Sequence, residues 1–251
     1  MKFVIYICCF FLSVTAFSQN DEALAKNYFD RGEFEKALIS YQNLYQEKKN
    51  NLNYFFRIIE IHQQLEKYDL AEILLKEKIN GQRDGQFLVE LGYNFQLKGN
   101  QEDAEKYYNQ AISQIETEPL FAYFVARRFE IHSLIDEAAI VYEKAMELRP
   151  ESNFHRQLAR IYGEQGKVDK MFNSYVNFIE VSPTFVHQAK RLFSEYITEN
   201  GDDENNEHLR KALLRKAQLN PDIIWNQLLS WLFIQQRDYS KAFVQERAIF
   251  K

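Results

Sequence analysis

Few residues in this chain have the type and spacing for chemistry. The five histidines His62, His132, His155, His187 and His208 are scattered. None belongs to a His-Glu-x-x-His motif, and His187 and His208 share no metal-ligand spacing. His62 and His155 fall at helix-packing positions and His132 near a turn, where a histidine serves structure or solvation. The acidic run Asp202-Asp203-Glu204 invites a calcium reading. It lacks alternating oxygen ligands around a central glycine and a glutamate at the right distance, and so reads as a solvated loop. There is no glycine-rich phosphate loop and no Gly-x-Ser-x-Gly elbow. The sequence therefore predicts no catalytic residue, no cofactor and no metal, and the chain is read as not an enzyme.

The two cysteines, Cys8 and Cys9, lie within an unbroken apolar run, Phe3 to Leu12, that follows Lys2. Ala16 and Ser18 stand three and one positions before Gln19, matching the small-residue rule of signal peptidases. The expectation is a signal peptide over 1–18 and a mature chain from Gln19, exported to the periplasm or cell envelope. A lipoprotein signal at Cys8 or Cys9 would leave too few residues ahead of the cysteine. Cleavage removes both cysteines, so no disulfide forms and stability rests on packing.

The elements that would carry any site are helical. Of 251 residues 46% are hydrophobic and 15% aromatic, too apolar for a disordered chain. Only 8 Gly and 4 Pro occur, which suits long helices with short connections. The formal net charge of −5 becomes one unit more negative once Lys2 is cleaved, which argues against a nucleic-acid partner.

A repeat organises these helices. Four segments align: Gly32–Tyr41, Lys67–Leu75, Gly99–Tyr108 and Leu134–Tyr142. Their small anchors Ala37, Ala71, Ala104 and Ala138 are 34, 33 and 34 residues apart, and Met171 follows 33 further on. Gly92 and Ala126 stand where paired helices must approach closely. Tyr108, Tyr142 and Tyr175 fill the space between hairpins, and Pro150 and Pro183 stop helices.

This period and pattern resemble the tetratricopeptide repeat (TPR) family, helix-turn-helix units of about 34 residues. The resemblance implies an all-α fold, a right-handed superhelical TPR solenoid of antiparallel helix hairpins. It implies five repeats over 19–183, then a degenerate sixth over 184–221 with an acidic loop insertion. In that sixth copy helices are expected over Phe185–Glu199 and Leu209–Leu219, with Gly201–Glu207 as loop between them. An incomplete seventh repeat spans 222–251, and the chain is expected to continue beyond Lys251.

Such solenoids hold a partner peptide on the inner face of their first helices. Projecting the family's inward positions gives Phe56 and Glu60, then Val89 and Tyr93. Tyr123 and Arg127 follow, then Arg156 and Arg160, and lastly His187 and Lys190. The expected groove residues are Tyr93, Tyr123, Arg127, Arg156, Arg160 and Lys190. The arginines suit bidentate recognition of carboxylates and the tyrosines suit aromatic anchoring. Against this, the arginines could simply pair with Glu130 and Glu164 on the same faces. The Lys/Asn/Arg clamp with which some relatives bind chaperone C-termini is absent, so cochaperone function is not implied. The expected role is an exported scaffold for protein–protein interaction, with a protein or peptide partner, a membrane-associated one included. Neither nucleic acid nor a small-molecule substrate is expected. The alternative is the sensor-side repeat region of a longer membrane signalling protein.

Overall fold

A computed structural model describes residues 21–79 and 83–249, so the signal-peptide expectation lies outside the described residues. Among those described there are helices and turns and no strand. The chain divides into two compact units, the first ending at Gln114 and the second beginning at Ile115.

The first unit contains α1 (21–30), α2 (Phe34–Glu47), α3 (Leu52–Gln64), α4 (Tyr68–Lys78), α5 (Gly85–Leu97) and α6 (Gln101–Ser113). The second contains α7 (Ala122–Ile131), α8 (Ile135–Leu148), α9 (His155–Glu164), α10 (Val168–Val181), α11 (Val186–Ser194), α12 (Glu204–Leu219), α13 (Ile223–Gln235) and α14 (Tyr239–Ile249). Helices pair as hairpins, α3 with α4, α5 with α6, α7 with α8, α9 with α10 and α13 with α14, while α12 packs on α10 and α13, so the fold is all-α and built of stacked helices within each unit.

Two local features set the repeat. One is the turn inside each hairpin. A residue with left-handed backbone recurs at Gly32, Glu66, Gly99, Ser133, Gly166 and Arg237, with φ between 56 and 75°. After each, the next amide donates to a carbonyl five residues back, as Asn100 does to Phe95 at 2.9 Å and Lys167 does to Tyr162 at 2.8 Å. This closes the first helix and reverses the chain in three residues.

The other feature is the anchor five residues after each turn. Ala37, Ala71, Ala104 and Ala138 are completely buried, and Met171 and Ala242 nearly so. Small anchors let the second helix lie close to the first, and Met171 shows that one copy accommodates a longer side chain. Gly92 shows the limit: a Cβ there would stand 2.5 Å from Cε1 of Tyr108 and 3.0 Å from the carbonyl oxygen of Ala104. Tyr108 is in turn fixed by its hydroxyl, which donates to Gln96 at 2.9 Å.

Between hairpins the filling is aromatic. In the first unit Phe87 packs on Phe55 and Phe56, with ring centroids 5.8 and 5.4 Å away. In the second, Tyr142 meets Phe154 at 4.8 Å and Phe172 meets Phe193 at 5.3 Å.

The pair α11 and α12 departs from the expectation, with α12 packed on α10 and α13 rather than on α11. Its first helix stops at Ser194 rather than continuing to Glu199, and its second starts at Glu204, so only part of Gly201–Glu207 is loop. The reason is capping. The Asp203 side chain accepts from the Asn205 amide at 3.0 Å, and Glu204 and Glu207 sit in the first turn, where the helix dipole favours acids. Asn206, 35 residues after Met171, occupies the anchor position and is completely buried. Its amide accepts from the Thr198 N–H at 3.2 Å and donates to the carbonyls of Thr198 and Asn200 at 2.8 and 2.6 Å. With the Asn205 side-chain amide donating to the Tyr196 carbonyl at 3.1 Å, two side chains stand where a backbone turn is used elsewhere.

Gly92→Ala and Gly99→Ala separate the two features. The first should cost about 1–3 kcal/mol through overpacking against Tyr108. The second has open space around it and should cost about 1–2 kcal/mol through its left-handed backbone alone. Denaturant midpoints would measure both; a Gly92→Ala protein as stable as wild type would contradict the close approach.

Candidate functional site

Helices α7 and α9 each turn one face to the core and another outward. On α7 the residues Ala122, Val125, Ala126 and Phe129 are buried; on α9 they are Leu158, Ala159, Ile161 and Tyr162. That leaves Tyr123 and Arg127 together on one helix, and Arg156 and Arg160 on the next, at the four-residue spacing that aligns side chains. All four line one cavity of about 530 Å³ within the second unit.

The charges in this cavity are unequal in their partners. Glu130 has a side chain only 5% exposed, yet it takes both Arg127 Nη1 and Arg160 Nη2 at 2.8 Å on one oxygen, Oε2. Its Oε1 accepts the Tyr142 hydroxyl at 3.1 Å. Burial, with the Glu130 charge second, pushes the Tyr142 hydroxyl well above its ordinary pKa, so it stays a donor. Arg160 also holds Glu164 at 2.7 Å. Arg156 has no carboxylate partner among the described residues, and its guanidinium lies 5.7 Å from the Phe185 ring centroid. Tyr123 is 45% exposed and packs edge-on against the exposed Phe124 at 5.8 Å.

The other expected groove residues lie elsewhere. Tyr93 is on α5 in the first unit, half-buried, and its hydroxyl pKa is raised by burial first and by Glu90 and Glu60 after it. Phe56 and Val89, projected beside it, are buried in the first unit's core and present nothing to a partner. Lys190, on α11, has its ammonium 5.9 Å from the Trp231 ring centroid; burial lowers its pKa while Glu246 opposes. On α11 it is Phe185, Gln188 and Leu192, one helical face, that line the cavity instead of His187 and Lys190. Gln157 and Tyr175 complete the lining. Sequence reading assigned Tyr175 to packing between hairpins, which its 8% exposure supports, and gave no sign that it also borders a cavity.

Residues 85–117, the hairpin of α5 and α6, match the family model of the tetratricopeptide repeat. This hairpin has the Gly92 contact, the Ala104 anchor and the Gly99 turn in one unit. No curated protein matches the chain. Among solved structures it is similar to the C-terminal part of a TPR repeat-containing protein from Cytophaga hutchinsonii, at 18% identity, 90% of this chain, 93% of that one and a TM-score of 0.36. A tetratricopeptide repeat protein from Parabacteroides merdae gives 13% identity, 92% and 91% coverage and a TM-score of 0.35. The TPR2AB domain of yeast Sti1, solved in complex with pHSP90, gives 11%, 94%, 98% and 0.34. Superpositions at these scores carry no weight, and the repeat architecture rests on the matched hairpin and on the recurring turn and anchor.

Asp203 caps α12, and among the described residues no group of three or more His, Cys, Asp or Glu is placed to hold a metal ion. His62 and His155 have lowered pKa values, through burial first and then through Lys67 and Lys216 respectively, with Glu180 opposing for His155. A histidine whose folded pKa is depressed contributes stability that is full above its unfolded value of about 6.5 and is lost as pH falls through the folded value. Unfolding free energy should therefore decline as pH drops below about 6.5. Replacing both histidines by glutamine should flatten that slope; equal slopes in variant and wild type would refute the assignment.

Proposed function

We propose that this chain is an exported, non-catalytic scaffold that holds a partner protein through the cavity between α7, α9 and α11. The observation that carries it is Arg156, a cation at the cavity with no carboxylate partner, set beside an aromatic residue left nearly half exposed. Arginine and tyrosine are the residues in which protein interfaces concentrate binding energy. An exposed guanidinium without a counter-ion, flanked by an aromatic, suits an acidic segment of another protein. Arg127 and Arg160, already paired with Glu130 and Glu164, leave Arg156 as the cation offered at this cavity.

Export rests on Lys2, the apolar run that follows and the small residues Ala16 and Ser18. Among the described residues no helix is long and apolar enough to cross a membrane. A scaffold of this kind meets its partner in the periplasm or at the envelope, and a membrane-associated partner is within its reach.

The test is a crosslinking capture from envelope extract with the mature chain from Gln19 and its Arg156→Ala variant. Arg156 makes no ion pair among the described residues, so the variant should fold as wild type does, which circular dichroism would check. A partner held by wild type and lost or weakened at least tenfold with Arg156→Ala supports the reading. Equal capture by both, or none by either, refutes it. Mass measurement of the protein recovered from its own cells should give a chain beginning at Gln19 in the envelope fraction; an intact Met1 would refute export.

A further inference from the structure

Three arginines border the cavity, yet only one is available to a ligand. Arg127 and Arg160 converge on the same oxygen of Glu130, and Arg160 spends its other terminal nitrogen on Glu164. Glu130 is buried and held at its second oxygen by Tyr142, so it does not swing aside. The place where a ligand anion would sit between two arginines is already filled by the protein's own carboxylate.

What remains is Arg156 and one hydroxyl. Tyr175 lines the same cavity, and its hydroxyl makes no hydrogen bond among the described residues. Burial raises its pKa most, with Tyr196 next, against the opposing fields of Arg156 and Arg160, so the hydroxyl is a protonated donor beside both guanidinium groups. A planar guanidinium fork plus one O–H donor matches a carboxylate, whose two oxygens accept in one plane. A phosphorylated side chain differs: it carries a charge near −2 and is ordinarily held by a cluster of arginines.

Resting on the scaffold reading above, the geometry points to a one-carboxylate site: Arg156 and the Tyr175 hydroxyl hold a single aspartate or glutamate of the partner, and Glu130 sets the specificity by withholding the second cation that a phosphorylated residue needs. Glu130 is here a positioning and filtering residue. It orients Arg127 and Arg160 and repels a second negative charge. The exposed Tyr123, Phe124 and Leu120 lie at the start of α7 and offer an apolar rest for a residue beside the acid.

Fluorescence anisotropy on the full mature chain tests this with three blocked hexapeptides. They are identical except for glutamate, glutamine or phosphoserine at one position next to a leucine. The glutamyl peptide should bind at least tenfold more tightly than either of the others. Tyr175→Phe, which removes only a hydroxyl, should reduce that preference at least threefold, and Arg156→Ala should abolish it. Glu130→Gln keeps an acceptor for Tyr142 but frees Arg127 and one terminal nitrogen of Arg160, and should strengthen phosphoseryl binding at least tenfold more than it strengthens glutamyl binding. If Glu130→Gln does not fold, the wild-type order and Tyr175→Phe still decide. Phosphoseryl binding to wild type equal to or tighter than glutamyl binding overturns the inference, as does indifference to Tyr175→Phe. If no peptide binds while Arg156-dependent capture from the envelope persists, the one-carboxylate site falls and the scaffold reading stands. If both fail, both fall.

Discussion

Everything in this fold depends on how closely two helices of a hairpin approach. At Gly92 the gap is too small for a methyl group, and the anchors that follow each turn are buried, four of them completely. Such contact is favoured where small residues recur at a fixed distance from a fixed turn, and the left-handed residue five positions earlier supplies that reference point. The tyrosines and phenylalanines then fill whatever space the close approach leaves between hairpins. A hairpin of this kind has more apolar surface than it can bury alone, so stacking follows from the contact.

The cavity is a by-product of the same arrangement. Once α7 and α9 commit their small and apolar residues to the core, their remaining faces bring Arg127, Arg156 and Arg160 to one place, with α11 across from them. Like charges in proximity need a counter-charge, and Glu130 provides it from within α7 while Tyr142 on α8 holds it still. Replacing a buried, paired carboxylate is costly because its partners are left uncompensated. The ion-pair centre is therefore a structural brace and an electrostatic filter together, and the two roles share one residue.

The period, the anchors and the helical class were legible in the sequence because spacing along the chain determines them. The placing of Arg127, Arg156 and Arg160 followed from family register, and so did the rival idea that Glu130 and Glu164 would take them. Both are present: two arginines are paired and one is not, a division that depends on side-chain reach and that no spacing encodes. Phe56 and Val89 fell on inward positions by register but are buried, Phe56 stacked on Phe87, since burial is decided by what packs above a residue. Tyr175 looked like packing and is packing, with a hydroxyl that happens to face a cavity. The early end of α11 escaped notice because its cause, the Asn206 amide, lies twelve residues further on.

That amide has a consequence for the chain as a mechanical object. The other helix-to-helix turns inside hairpins are fastened by main-chain groups, which every residue type carries, so substitution along them changes comfort more than closure. Between α11 and α12 most of the fastening belongs to two adjacent side chains: Asn206 holds three main-chain groups of Thr198 and Asn200, and Asn205 holds the carbonyl of Tyr196. The second unit thus contains a clasp whose grip is written in two adjacent codons. Tension, proteolysis or drift in sequence would find its first opening there, on the stretch of chain that separates the cavity-bearing helices α7 to α11 from the hairpin of α13 and α14.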